Sequence, residues 1–134
     1  MCSLHRITLS QLHKTHDYYW KMDYTHLIER LEAFEERLGI RLEALFAYWS
    51  ENIYSPRNSY FKLNGELHPK DGTALQEDIV LVVDIYDNSG RLVAHNGDCF
   101  RKEGFFGFRT FEMGLQIDIA NPIISKIRVY PRAL

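Results

Sequence analysis

Large apolar residues recur every three or four positions between Asp23 and Pro56. This spacing matches the 3.6-residue period of an α-helix and predicts a long amphipathic helical segment over 23–54. Gly39 lies inside the segment, where a glycine costs about 1 kcal/mol relative to alanine. The helix is therefore either continuous or broken into two at Gly39. The apolar stripe consists of Leu27, Leu31, Phe34, Leu38, Leu42, Leu45, Trp49 and Ile53.

After Pro56 the apolar residues alternate with polar ones or form short continuous runs, as β-strands do. The predicted strands are 59–68, 79–86, 91–100, 110–119 and 123–130. Turn-forming residues separate several of them, for example in 69–72 (PKDG) and 87–90 (DNSG). Strands at short spacing without intervening helices predict an antiparallel β-sandwich of about five strands.

The expected fold class is α+β. The chain would begin with an N-terminal arm over 1–22, continue with the helical segment over 23–54 and end with the sandwich over 55–134. At 134 residues the chain is long enough to bury one core. We therefore expect the helix and the sandwich to form one folding unit.

The central hairpin reads VDIYD over 83–87 and SGRLV over 89–93. It resembles the bacterial FxLYD-type domain, with Val83 at the place of the Phe in that pattern and Ile85 at the place of the Leu. The resemblance covers at most 58–131 and implies an immunoglobulin-like sandwich. It also implies an accessory interaction module rather than an enzyme, and it brings no catalytic residues.

The charge balance argues against a nucleic-acid partner. The chain carries 16 Lys and Arg against 18 Asp and Glu, a formal net charge of −2. Nucleic-acid-binding proteins usually show a basic surplus or a clustered basic face. The N-terminus lacks the apolar run of a signal peptide, and no stretch approaches the ~20 apolar residues of a membrane span. Only Cys2 and Cys99 are present, so we expect no disulfide framework, no membrane partner and a cytoplasmic location.

No familiar catalytic motif appears in the sequence, neither a Gly-rich phosphate loop nor a nucleophile elbow, so we expect no enzyme and no cofactor. The single histidines His26, His68 and His95 are interpreted as surface or turn residues. Cys99 and His95 share a strand face but would lie about 13 Å apart at 3.3 Å per residue. Asp84, Asp87 and Asp98 lack the spacing of an EF-hand. A zinc site of Cys2, His5, His13 and His16 stays open, although a polar N-terminus explains these residues more simply.

The stretch over 102–109 (KEGFFGFR) places three Phe between glycines and basic residues. One interpretation is an exposed aromatic loop that grips a partner. The other, which we favour, is that the glycines permit a bend and the Phe rings plug the end of the sandwich.

Two functional hypotheses follow. A continuous helix would be about 45 Å long, whereas the strands reach only about 30 Å, so part of the stripe would need a second copy or another protein to cover it. The first hypothesis is therefore a non-enzymatic interaction module, most simply a homodimer. The alternative is a small-molecule or metal-binding protein with a site between helix and sandwich. The interface candidates are Leu27, Leu31, Phe34, Leu38, Leu42, Leu45, Trp49, Phe105, Phe106 and Phe108.

Overall fold

Two four-stranded β-sheets face each other in the computed structural model, which describes residues 19–117 and 123–134. The strands are β1 (Tyr19–Asp23), β2 (Ile28–Arg30), β3 (Ile40–Asn52), β4 (Tyr60–Pro69), β5 (Ile79–Asp87), β6 (Leu92–Phe100), β7 (Arg109–Leu115) and β8 (Ile124–Ala133). The α-helix of the described residues, α1, covers Glu32–Leu38, and short 3-10 turns cover Thr25–Leu27 and Pro56–Asn58.

The first sheet has the order β1-β3-β4-β7 and the second the order β2-β8-β5-β6. All neighbours are antiparallel except β2 and β8, which run parallel. The core lies between the sheets and contains buried residues of both, such as Phe61 and Leu63 of β4 and Leu81 and Ile127 of the second sheet. The predicted β-sandwich is thus confirmed in its broad form.

The long helix predicted over 23–54 is wrong, and with it the α+β fold class. Gly39 is the reason: its φ of +68° is a left-handed conformation, which ends α1 after Leu38. The Gly39 N–H closes the last turn by donating to the carbonyls of Glu35 and Glu36. Glycine adopts this conformation without steric cost, so it acts here as a helix terminator rather than as a weak point inside a helix.

A β-bulge explains why β3 shows helical spacing. The register between β3 and β4 shifts between Glu43 and Phe46, and Ala44 has a φ of +55°. The bulge adds one residue between Leu42 and Leu45, so two inward-facing positions become three residues apart instead of two. The step of four from Leu45 to Trp49 is two strand periods. The intervals of three and four therefore come from a bulged strand.

The stripe residues occupy several elements. Leu38, Leu42 and Trp49 are buried in the core, and Leu42 is only 1% exposed. Leu27 and Leu45 are half-buried against the core, and Leu31 directly precedes α1. The rings of Phe34 and Tyr130 form a T-shaped pair. A helix of seven residues is about 10 Å long. At this length α1 does not overhang the strands, so it does not require a second copy of the chain to cover it.

The five strands predicted after Pro56 correspond to β4–β8, with ends displaced by a few residues. Residues 118–122, which include the end of the strand predicted over 110–119, lie outside the described part, and so does most of the predicted arm. The rest of that arm begins β1. In the described chain, no helix has the length and apolar character needed to cross a membrane.

Candidate functional site

The loop between β6 and β7, residues 101–108, presents two aromatic rings to solvent. Phe106 is 82% exposed and Phe108 52%, whereas Phe105 is only 6% exposed and belongs to the core. Gly104 and Gly107 both have a φ near +80°, which lets the chain reverse direction between the rings. One ring of the Phe stretch therefore packs into the sandwich, and two remain outside.

Hydrogen bonds at both ends hold this Phe loop (101–108) in place. The Lys102 N–H donates to Asp78 Oδ1 at 2.8 Å, and the Gly107 N–H donates to the Thr73 carbonyl at 2.9 Å. The guanidinium of Arg109 lies 4.8 Å from the centre of the Phe105 ring. The exposed rings thus project from a loop that is fixed to the chain segment before β5.

Three cations lie in the same stretch of chain as the exposed rings. Arg101, Lys102 and Arg109 are exposed cations, and Glu103 is the single carboxylate of 101–109. Arg101 lies 3.6 Å from Asp78, a long ion pair at the surface. Water screens exposed ion pairs of this kind, so Asp78 attracts Arg101 only weakly.

Phe108 also connects the loop to the neighbouring strand. Its ring stacks on the imidazole of His68, with centroids 4.8 Å apart and an angle of 8° between the planes. The register of β4 and β7 explains the contact, because Leu67 pairs with Arg109 and thereby brings the next residues on each side together. His68 was interpreted as a surface or turn histidine, and the structure gives its ring a defined orientation.

Two carboxylates approach the same imidazole. His68 Nε2 lies 3.0 Å from Glu66 Oε1 and 4.0 Å from Glu43 Oε1. Glu66 and His68 are two residues apart on β4 and therefore share a face, and Glu43 on β3 pairs directly with Glu66. Arg41 donates to Glu43, and this hydrogen bond, more than any other effect, lowers the pKa of the Glu43 carboxyl.

Every cation that lines the pocket beside α1 is paired with a carboxylate. Buried Glu35 accepts hydrogen bonds from Arg30 Nε at 3.0 Å, from Arg30 Nη2 at 2.7 Å and from the Leu42 N–H at 3.2 Å. The other two cations of its lining are also paired, Arg41 with Glu43 and Lys70 with Glu36. The alternative function places a site between helix and sandwich, and this pocket beside the helix is lined by charged residues with Ile40 and Leu42.

The second sheet carries a polar trio that the sequence does not predict. Asp84 is buried and pairs with His95 in the β5–β6 register. Its carboxylate lies 2.5 Å from His95 Nδ1 and accepts a hydrogen bond of 3.0 Å from the Tyr130 hydroxyl. Burial, followed by this hydrogen bond to Asp84, raises the pKa of Tyr130. The turn at 87–90 indicates that the strands on either side of it pair. A bulge at Ile85/Tyr86 shifts their register by one residue, so counting from the turn does not pair Asp84 with His95.

This trio is not assembled as a catalytic triad. A triad needs a hydroxyl or thiol nucleophile within hydrogen-bonding reach of the histidine. Cys99, an exposed free thiol, is four residues further along the strand from His95, about 13 Å away. The trio acts as a polar cross-link between β5, β6 and β8.

Asp87 has a structural role in the turn between β5 and β6. Asp87 closes the hairpin turn, accepting from the Ser89 hydroxyl at 2.7 Å and from the Arg91 N–H at 3.0 Å. These hydrogen bonds, the one from Ser89 first, lower the pKa of Asp87. The possible zinc ligands Cys2, His5, His13 and His16 lie outside the described residues.

Comparisons of the chain with protein-family models, with curated proteins and with solved structures give no match. The function must therefore be argued from the residues themselves.

Proposed function

We propose that this chain is a non-enzymatic protein-interaction module that inserts Phe106 and Phe108 into an apolar pocket of a partner protein. The observation that carries the proposal is the exposure of two neighbouring aromatic rings on a loop whose third ring is anchored in the core. Exposed apolar groups of this size at one place are typical of binding sites, and aromatic side chains dominate binding energy at interfaces.

The fixed loop makes such binding favourable. Full burial of one Phe side chain contributes about 1.5–3 kcal/mol. Part of that gain is normally lost when a flexible loop becomes ordered on binding. Here the hydrogen bonds from Lys102 and Gly107 already hold the backbone on both sides of Phe106, and Phe108 directly precedes β7. Binding therefore requires little further ordering of the loop backbone.

The cations around the rings select the partner. Arg101, Lys102 and Arg109 favour a pocket whose rim carries carboxylates. A second copy of this chain would fit less well, because a two-fold interface places each surface against itself and would bring these cations together. The partner is therefore a different protein with an acidic rim around an apolar pocket. The resemblance to FxLYD-type modules supports an interaction role, and the cytoplasmic location stays a prediction.

A photo-crosslinking experiment followed by reconstitution tests the proposal. Benzoylphenylalanine replaces Phe106 in cells of the native host, and the same residue replaces Leu92, an exposed apolar residue of β6, as the control. A protein crosslinked from position 106 alone is purified, and its affinity for the unmodified chain is measured by calorimetry. We expect Phe106→Ala and Phe108→Ala each to weaken binding at least about tenfold, and Leu92→Ala to leave it unchanged.

Rising salt should also weaken the complex, since the rim contacts are ionic. The proposal is overturned if neither Phe substitution affects binding or if position 106 crosslinks only to another copy of the chain. Phe106-dependent binding to anionic phosphatidylglycerol vesicles, without a protein partner, would overturn it as well.

A further inference from the structure

We propose that Glu43, Glu66 and His68 form a binding site for a divalent transition-metal ion, with Zn²⁺ as the test ion. The three side chains offer two carboxylate oxygens and one imidazole nitrogen, all within 4.8 Å of one another. This set contains the ligand types that zinc binds in proteins. The inference does not depend on the proposed partner of the Phe loop.

The two separations from His68 are close to those around a tetrahedral ion. With zinc–ligand distances of 2.0–2.2 Å, two ligands of a tetrahedral site lie about 3.4 Å apart. His68 Nε2 lies 3.0 Å from Glu66 Oε1 and 4.0 Å from Glu43 Oε1, so both distances differ from that separation by only about half an ångström. Side-chain rotation alone can supply this change. Three protein ligands would leave the fourth position open to water or to a ligand from another molecule.

The sheet holds these groups in place. Glu66 and His68 share one face of β4, and Glu43 stands directly across from Glu66 on β3. The β-bulge that begins after Glu43 interrupts the regular pairing of β3 with β4 next to these residues. Stacking on Phe108 orients the imidazole plane. A metal site needs this kind of support, because ligands held by neighbouring contacts lose less freedom on binding.

Hydrogen bonds alone do not connect His68 to both carboxylates, whereas a metal ion would. A single Nε2–H can serve Glu66 at 3.0 Å, but Glu43 Oε1 at 4.0 Å is beyond hydrogen-bonding distance from the same nitrogen. An ion between the three groups would contact all of them. Arg41 contacts the other oxygen of Glu43 and so can orient that carboxylate from behind.

The imidazole selects the class of ion. Mg²⁺ and Ca²⁺ prefer sites made wholly of oxygen ligands, whereas Zn²⁺, Co²⁺ and Ni²⁺ accept a mixed nitrogen and oxygen set. We therefore expect Zn²⁺ to bind in preference to Mg²⁺ and Ca²⁺.

Calorimetric titration of the tag-free full chain with Zn²⁺, after treatment with EDTA, tests the site. We expect one ion per chain, with Mg²⁺ unable to compete. His68→Ala should weaken binding by about a hundredfold or more, and Glu66→Gln and Glu43→Gln by at least about tenfold. His95→Ala is the matched control, because His95 also contacts a carboxylate, that of Asp84, but belongs to no three-ligand group within the described residues.

Two further measurements keep the test decisive. Co²⁺ bound to the unaltered chain should show the intense visible absorption of a tetrahedral site, which is independent of how well any variant folds. A combined variant that removes the N-terminal candidate ligands should bind Zn²⁺ as the unaltered chain does; its substitutions are Cys2→Ser, His5→Ala, His13→Ala and His16→Ala. The inference is overturned if the chain takes up no Zn²⁺ in large molar excess, if a folded His68→Ala chain retains it, or if the combined variant loses it.

Discussion

The imidazole of His68 and the ring of Phe108 lie parallel, with their centroids 4.8 Å apart. This contact joins β4, which carries the proposed metal ligands Glu66 and His68, to the Phe loop that carries the proposed binding surface. It is therefore the physical connection between the two candidate sites, and it can be measured.

We predict an energetic coupling between these two rings. Stacked aromatic pairs contribute about 0.5–1.5 kcal/mol beyond the area that they bury. The free energy of unfolding of His68→Ala, Phe108→Ala and the double variant should therefore be non-additive by about that amount. Urea unfolding in a buffer with EDTA measures the coupling without any contribution of a metal ion. Strict additivity of the two substitutions would show that the rings do not interact.

The two adjacent residues Phe105 and Phe106 should differ sharply in their contribution to stability. Phe105 is buried and its replacement by Ala leaves a cavity, at a cost of about 3 kcal/mol or more in the free energy of unfolding. Phe106 is 82% exposed, so Phe106→Ala should change stability by less than about 0.5 kcal/mol. Chemical unfolding of both variants checks this. A large loss for Phe106→Ala would mean that its ring packs against the protein and is not free to bind a partner.

Gly39 should be sensitive to substitution because of its backbone conformation. Its φ of +68° would cost an alanine about 1–2 kcal/mol. The new Cβ would also lie 2.5 Å from Gln76 Nε2, but this is the end of an exposed, flexible side chain that can move away. We therefore expect Gln76→Ala to rescue little of the loss in Gly39→Ala.

Gly114→Ala serves as the control for this prediction. Gly114 has no positive φ and an added Cβ there would meet no atom within 4 Å. Thermal unfolding should place Gly114→Ala at or slightly above the stability of the unaltered chain. Equal losses at both positions would contradict the assignment of Gly39 as the terminator of α1.

The parts of the fold that depend on local signals were predictable from the sequence. Alternation in β4 and the turn at 87–90 depend on neighbouring residues, and both give the correct elements. β3 was mistaken for a helix because its bulge at Ala44 replaces a period of two with intervals of three and four. No local signal could show that one residue distorts the strand in this way.

The candidate sites depend on the register in which the strands pair, and this register cannot be derived from the residue types at single positions. His68 meets Phe108, forty positions later in the chain, through the pairing of β4 with β7. Glu43 meets Glu66 through the register of β3 with β4, and that strand was not recognised as a strand. The sequence shows a stretch with three Phe residues, but only the structure shows that Phe105 is buried and that Phe106 and Phe108 are exposed.

The stability of the folded chain should depend on pH through Asp87 in the hairpin turn. Hydrogen bonds from the Ser89 hydroxyl and the Arg91 N–H lower the pKa of Asp87 in the folded state. A carboxyl whose pKa is lowered by folding adds stability above its unfolded pKa, about 3.9 for Asp, and loses that contribution as the pH falls through the folded value. Asp87→Asn should therefore be less stable than the unaltered chain at neutral pH. The difference should shrink as the pH falls below about 4.

Unfolding in urea across this pH range measures the difference, and NMR titration of the Asp87 carboxyl measures the cause. Ser89→Ala removes the hydrogen bond with the largest effect and should move the titration midpoint of Asp87 upward, toward the ordinary value. The same substitution should weaken the acid dependence without abolishing it, because the Arg91 N–H still donates to Asp87 Oδ1 at 3.0 Å. A constant gap between Asp87→Asn and the unaltered chain from neutral pH down to pH values below both pKa values would show that Asp87 acts through turn geometry rather than through its charge.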